Sequence, residues 1–530
     1  MEPQPPPAPK LPLFRRPATR RAVLAGGATL AAGGTAAAVF GITQSSGSPS
    51  SNAAARQPLQ LPGNGNIVAS PAPTVDPNQP IADPNRRAAH LLRRAGFGGT
   101  LAQIQEFAQL SREDAANRLL SFESVDNSAL EARLAAANFD LSGAKPLDYA
   151  RWWMTRMAYT ARPLEERMTL IWHGLLTSQL SKVGRKFAIL LYTQNQLYRQ
   201  NALPKWDDFI KAVSKDPGMM EYLDTVENSK AHANENYARE QMELFTMGVG
   251  NYSEDDVREA ARAYTGYRFT RPAARPNNKG PYLDYHPTFQ MLASQHDNGS
   301  KTFLGKTGNF DGDDIIDIIM GTPAAATHIT MRLFTEFANT NPSKQTVDNL
   351  VSIWQKSGHQ IRDVVHAILV SDEFYSEGSY RSLVRSPVNF VIGAIRGLEL
   401  DHAGQTSAKA RMAPEQYLTA MDQTLFEPPN VAGWPGGAYW LSSSTFFARL
   451  NFLDSLLGGT GKSAATIPPL AGLTATSDLV ERALQIFLDG NVSESTRQAI
   501  TDHADTVADP GQRAAAVAYL VLATPEYQLV

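Results

Sequence analysis

Helix-start signals recur ahead of apolar segments with a helical period along residues 83–524, and this regularity limits the chain to a mainly α fold. Pro84 stands at a first-turn position behind Asp83, and 86–95 reads as a helix stopped by Gly96, Gly98 and Gly99. Thr100 caps the next segment, and Ser111 with Asp114 opens a third. Further helical patterns fall at 127–137, 147–160, 163–178, 183–200, 313–320, 323–338, 344–357, 361–370 and 387–399, then at 443–457, 477–489, 493–507 and 510–524. Strand candidates are few and short, at 267–270, 285–290 and 302–304, inside a connection at 271–312 rich in Pro, Asn and Gly. No fixed-period repeat marks a solenoid. The expectation is one large multi-helix body over 83–530, with long irregular loops and few short strands.

The amino-terminal residues carry an address. Thr19, Arg20, Arg21, Ala22, Val23 and Leu24 form a twin-arginine export pattern, followed by an uncharged Ala, Gly, Val and Leu run to Thr43. Residues 1–43 therefore read as a twin-arginine signal or a membrane anchor. Arg15, Arg16, Arg20 and Arg21 keep that end cytoplasmic, which puts later residues in the periplasm or cell envelope, anchored in the inner membrane by 22–43 if the segment is not cleaved. Residues 44–82, rich in Ser, Gly, Pro and Asn, read as a disordered linker. The twin-arginine route carries folded proteins. It permits a cofactor without requiring one, and the identity of any metal or cofactor stays open.

With 43% hydrophobic and 19% charged residues the chain is an ordinary globular one, and its net charge of -3 argues against a dedicated nucleic-acid binder. It has no cysteine, which excludes disulfides, thiolate metal sites and cysteine nucleophiles. Nor does it contain a His-Glu-x-x-His zinc pattern, a Gly-x-Ser-x-Gly elbow, a Walker loop or a dinucleotide fingerprint.

The richest polar stretch is 234–250, NENYARE followed by QMELFTMGVG. On a helix it places Glu235, Asn236, Arg239, Glu240 and Glu243 on one side, and Tyr237, Ala238, Gln241, Met242, Leu244 and Phe245 on the other. Gly248 and Gly250 end it, and Ser253 with Asp256 caps the helix that follows. Asn234 suits the N-cap. One reading of the polar side is a solvated face laced by the four-apart pairs Glu235–Arg239 and Arg239–Glu243. The other turns Asn236, Glu240 and Glu243 inward, as a buried network or an oxygen-rich metal site, with Arg93, Arg94, His90 and His173 as partners. Under the second, Glu240→Ala costs about 3–5 kcal/mol.

Other stretches offer similar pairs of readings. His173, beside Trp172 on an apolar helix, is either a bonded core residue or a ligand or proton carrier. The same holds for His90, and Arg93 and Arg94 next to it suit an anion or neighbouring carboxylates. His296 and Asp297, in a polar loop running from Gln295 to Thr302, orient each other, bind a cation or make a turn. Asp311, Gly312, Asp313 and Asp314 lack the spacing of a calcium loop and read as a helix cap. The prolines and glycines of FEPPNVAGWPGGAYW, 426–440, exclude regular helix; the segment reads as the aromatic wall of a ligand cleft, with Trp434 on it, or as a plug on the helical body.

Several of these stretches together, HLLRRAGFG at 90–98, WHGLLTS at 172–178, NENYARE, MELFTMGVGNYSEDDVREAARAYTG ending at 266, KTFLG at 301–305, VRSPVNFV at 384–391 and FEPPNVAGWPGG at 426–437, resemble the bacterial domain-of-unknown-function 1800 family over roughly 83–528. The resemblance implies a secreted or membrane-associated, largely helical protein, often encoded beside a second exported protein resembling the sulfatase and alkaline phosphatase superfamily. It implies no activity. Two functional classes therefore compete. One is an envelope hydrolase using Glu240 or Glu243 as acid/base with His173 or His296 assisting; the other is a non-catalytic partner protein in which the same residues fix helix register. Convergence of His90, His173, Glu240, Glu243 and His296 on an open cleft under Trp434 favours the first; scattering or sealing favours the second.

Overall fold

The structure, a computed structural model, describes residues 76–139, 141, 146–184, 188–271, 287–401, 413–458 and 466–530. The twin-arginine stretch, the 22–43 segment, the linker up to 75 and the first part of the 285–290 strand lie outside the described residues.

The body is mainly α, as its sequence implies: 22 α-helices occur among the described residues, with two small two-stranded sheets. Cap chemistry sets the helix starts. Thr100 and Gln103 exchange side-chain and backbone bonds of 3.2 and 3.0 Å, Ser253 and Asp256 form the same box, and Asp83 accepts from Arg86 N–H ahead of Pro84. At 311–314 the side chain of Asp311 accepts from the backbone N–H of Asp313 and Asp314, which is the cap read from the sequence. Four helices lacked a sequence signal strong enough to find: Leu180–Val183, Trp206–Ser214, Pro217–Tyr222 and Pro414–Ala420.

Strand β1 (Tyr267–Phe269) pairs antiparallel with β2 (Phe289–Met291), Arg268 facing Gln290. Strand β3 (Lys301–Phe303) pairs antiparallel with β4 (Lys306–Gly308). Both ribbons pack at the edge of one continuous apolar core, in which Trp153, Trp172, Trp206 and Trp354 are fully buried. Trp172 packs at a tilt against Trp206, ring centroids 5.1 Å apart, and donates to the Ala202 carbonyl, and every residue of WHGLL but Gly174 is buried. Gly312 is required by packing, since a Cβ there would lie 2.4 Å from the Tyr267 hydroxyl.

The chain enters the body along residues 375–378: Ile81 N–H donates to the Tyr375 carbonyl, and Gly378 N–H donates to the Pro77 carbonyl. A few residues on, Leu383 and Val530 exchange backbone bonds, and Arg385 N–H donates to the Gln528 carbonyl. No helix among the described residues is long and apolar enough to cross a membrane.

Candidate functional site

The 234–250 stretch forms the expected helix with a change of register inside it. Glu235 is the N-cap, and Asn234, one residue before it, accepts from Asn236 N–H at 2.9 Å through its side-chain oxygen. Residues Asn236–Glu240 are α-helical and Gln241–Thr246 form a π-helix, closed by Met247 N–H donating to the Met242 carbonyl five residues back. Thr246 stabilises the wide turn by donating its hydroxyl to the Gln241 carbonyl at 2.6 Å, and His328 Nε2 lies 2.9 Å from the Leu244 carbonyl. The apolar side, Tyr237, Ala238, Met242 and Phe245, is buried as read from the sequence. Gln241 joins it, fully buried, its side-chain oxygen 2.8 Å from the Tyr264 hydroxyl.

The inward reading of the polar side needs correction. Asn236 is exposed and donates to Asp224 at 3.2 Å, while Glu235, Arg239, Glu240 and Glu243 are all part-exposed. Arg239 pairs with Glu235 at 3.0 Å as expected, but its second carboxylate is Glu254 at 2.8 Å rather than Glu243. The wide turn is the reason: it adds about one residue per turn, so Glu243 is carried off the Arg239 stripe and instead accepts from the Tyr252 hydroxyl at 3.1 Å. Asn236 and Glu243 thus bond different partners, and with Glu240 they do not form one ligand set. Among the described residues no group of three or more His, Asp or Glu side chains is arranged to hold a metal ion.

Glu240 lies within electrostatic reach of Tyr222, a residue without a sequence signal. Burial, then the neighbouring Glu243, raises the Glu240 carboxyl above its ordinary range, partly offset by Arg239. Burial raises the Tyr222 phenol too, and the carboxylates of Glu240 and Glu427 push in the same direction. Burial likewise raises Glu427, which accepts from the Ser181 hydroxyl at 2.9 Å. Neither Glu240 nor Glu427 has an ion-pair partner among the described residues.

Glu427 arrives there on the 426–437 loop, which is fastened to the end of the helix Pro163–Leu175 and the short helix Leu180–Val183. Phe426 N–H donates to His173 Nε2 at 3.2 Å, Leu180 N–H to the Phe426 carbonyl at 2.9 Å, and the Thr177 hydroxyl to the Val431 carbonyl at 2.6 Å. Gly433, at φ +78, lies so close to the Gly174 carbonyl that a Cβ would sit 2.3 Å from its oxygen. The loop is therefore a plug. His173, 2% exposed, is enclosed by Trp153, Phe426 and Trp434 with ring centroids 5.4, 5.4 and 5.5 Å away, and burial pushes its pKa down to about 3. It is a neutral core acceptor, and the half-buried Trp434 is its cover rather than the wall of a cleft.

The other candidates are held by separate partners. His90 is buried with Nε2 3.0 Å from the Phe374 carbonyl. His296 is 9% exposed, and its Nδ1 lies 2.8 Å from the Thr265 carbonyl. Asp297 is clasped by Arg262, at 2.8 Å from Nε, and accepts from Gly299 N–H; the Arg262 bond leads in drawing its pKa down to about 2. That loop is a closed turn. Arg93 grips Asp489 with two bonds of 2.7 and 2.5 Å, and Arg94 is buried without a carboxylate. The histidines and carboxylates therefore do not converge: His173 and Trp434 lie together under the loop that carries Glu427, and Glu240 and Glu427 both bear on Tyr222.

A helical body whose named motifs are mostly packing devices, with half-buried carboxylates at Glu240 and Glu427 that lack ion-pair partners among the described residues, is the class of protein these features define. Residues 90–529 match the family model described as "Protein of unknown function (DUF1800)", and the chain belongs to that family. Neither a curated protein nor a solved structure matches it.

Proposed function

We propose that the protein works in the bacterial cell envelope after export by the twin-arginine route, and that the face joining Glu240, Tyr222 and Glu427 receives a second exported protein, one resembling the sulfatase and alkaline phosphatase superfamily. The supporting observation is the pair of half-buried glutamates bearing on Tyr222, neither of them in an ion pair among the described residues. A basic surface on a partner would relieve them, and charge complementarity of this kind sets partner choice and encounter rate. The alternative, an envelope hydrolase, draws on the same two carboxyls, since a raised pKa suits a general acid. The histidines add little to it, because His173 and His296 are already engaged by backbone groups.

Two measurements bear on this. Arg20→Lys with Arg21→Lys is expected to leave the protein in the cytoplasm; unchanged envelope localisation ends the export reading. In cells that export it normally, Glu240→Lys with Glu427→Lys is expected to abolish capture of the sulfatase-like partner from envelope extracts, and undiminished capture rejects the binding face. The isosteric Glu240→Gln separates the two readings: capture retained while hydrolysis of an envelope polymer is lost marks the enzyme.

A further inference from the structure

The helix Pro84–Arg94 turns its last two arginines inward, and they meet different fates. Arg93 finds Asp489. Arg94, 1% exposed, finds no carboxylate: its Nη2 donates to the Ser379 carbonyl at 2.5 Å and to the Ser382 hydroxyl at 3.0 Å, and its Nε and Nη1 have no acceptor. The charges bearing on it are all of its own sign, Arg167 most strongly, then Arg93 and Arg385.

Arg167 is in a similar position. Its Nε has no acceptor, and its other nitrogens make only long contacts, 3.5 Å to Asn389 Oδ1, 3.3 Å to the Glu336 carbonyl and 3.5 Å to the Glu336 carboxylate. That carboxylate is shared with Arg332 at 3.2 Å. Both guanidiniums reach the end of the helix Pro323–Phe337, Arg167 through Glu336 and Arg94 through Ser382, whose hydroxyl donates to the Ala338 carbonyl.

Elsewhere the fold accommodates buried arginines differently. Arg396 is surrounded by the carbonyls of Gly98, Met157, Ala158 and Thr160. Arg385 donates to the carbonyls of Tyr527 and Leu529 and lies 4.1 Å over the Tyr527 ring. Arg94 has neither arrangement. A guanidinium does not shed its proton within a protein, so its charge stays. Burying an unpaired ion costs several kcal/mol, and a water that accepted the free N–H groups would leave the charge uncompensated.

We propose that Arg94 and Arg167 together hold a small inorganic anion of about the size of chloride, inside the body between the Ser379–Ser382 turn and the end of the helix Pro323–Phe337. The Nε and Nη1 of Arg94 and the Nε of Arg167 are the donors that contact it. A monovalent ion is favoured over a divalent oxyanion because it costs less to strip of water in so buried a place.

The test uses the full chain. In protein equilibrated with sodium bromide, an anomalous diffraction peak is expected in contact with the Arg94 guanidinium; a peak of water size without anomalous signal, or no peak, overturns the proposal. At constant ionic strength, the melting temperature is expected to rise as chloride replaces gluconate, and Arg94→Met is expected to remove both that dependence and the bromide peak. A melting temperature indifferent to the exchange in the wild type rejects the site, as does a bromide peak that survives Arg94→Met. Should Arg94→Met fail to fold, Arg167→Met takes its place, with weakened bromide occupancy expected and unchanged occupancy counting against it.

Discussion

Replacing Glu166 by alanine is expected to cost the body about 3–5 kcal/mol, the loss typical of a buried ion pair deprived of one partner. Glu166 is fully buried on the helix Pro163–Leu175 and accepts four bonds: from Trp153 Nε1 at 2.9 Å, Arg156 Nε at 3.1 Å, and Arg199 Nε and Nη2 at 2.6 and 2.9 Å. Burial alone would raise its pKa, but Arg199 and Arg156 outweigh burial and hold it below the ordinary range. Removing the carboxylate leaves the buried Arg199 without a carboxylate partner, while Arg156 keeps only Glu131. Chemical denaturation of wild type and Glu166→Ala, with Glu235→Ala as the exposed-pair control, measures the difference. The control is expected to shift by no more than about 1 kcal/mol; an equally small shift for Glu166→Ala would refute the account.

The second large effect concerns pH. Asp216 caps the helix Pro217–Tyr222 from a fully enclosed position, and burial lifts its pKa to about 6 against the bonds from Met219 N–H and Gln194. No cation among the described residues pairs with it. A carboxyl whose folded pKa lies above its unfolded value of about 3.9 stabilises the fold when protonated. The contribution is therefore complete below about pH 4, declines as pH rises to about 6, and is absent above, a loss of about 3 kcal/mol. Both accepted bonds, 2.8 Å from Met219 N–H and 2.7 Å from Gln194 Nε2, fall on Oδ2, so the carbonyl oxygen of asparagine can take them over. Asp216→Asn is expected to flatten the decline and to exceed wild type in stability at pH 7. If wild type and variant show parallel stability between pH 4 and 7, Asp216 does not titrate in this way.

Much of the helical architecture was legible because its signals are local. A capping box such as Ser253 with Asp256, or Pro84 behind Asp83, lies within a few residues of the turn it controls. The short helix Pro217–Tyr222 escaped because six residues hold too little of a period to read. The π-turn at Gln241–Thr246 escaped for another reason: its register depends on His328 meeting the Leu244 carbonyl, 84 residues away in sequence. The candidate site was partly legible. Glu240, His173 and Trp434 were named from composition and setting, but Tyr222 and Glu427 become meaningful only when the loop and helix are brought together. The arginines make the same point, since nothing in HLLRRAGFG distinguishes Arg93, whose carboxylate is 396 residues away, from Arg94, which has none.

The fastening of residues 77–81 and 528–530 to one stretch, 375–385, bears on how the molecule is made. A growing chain can assemble its early helices as they emerge, yet the Leu383–Val530 clasp must wait until residues near 530 have left the ribosome. Loop-closure entropy is then spent late, over long sequence separations, which slows the final step. Residues 375–385 consequently behave as a keystone: tension applied at residue 77 is felt at the same stretch that seats residue 530, and fraying at either seam loosens the other.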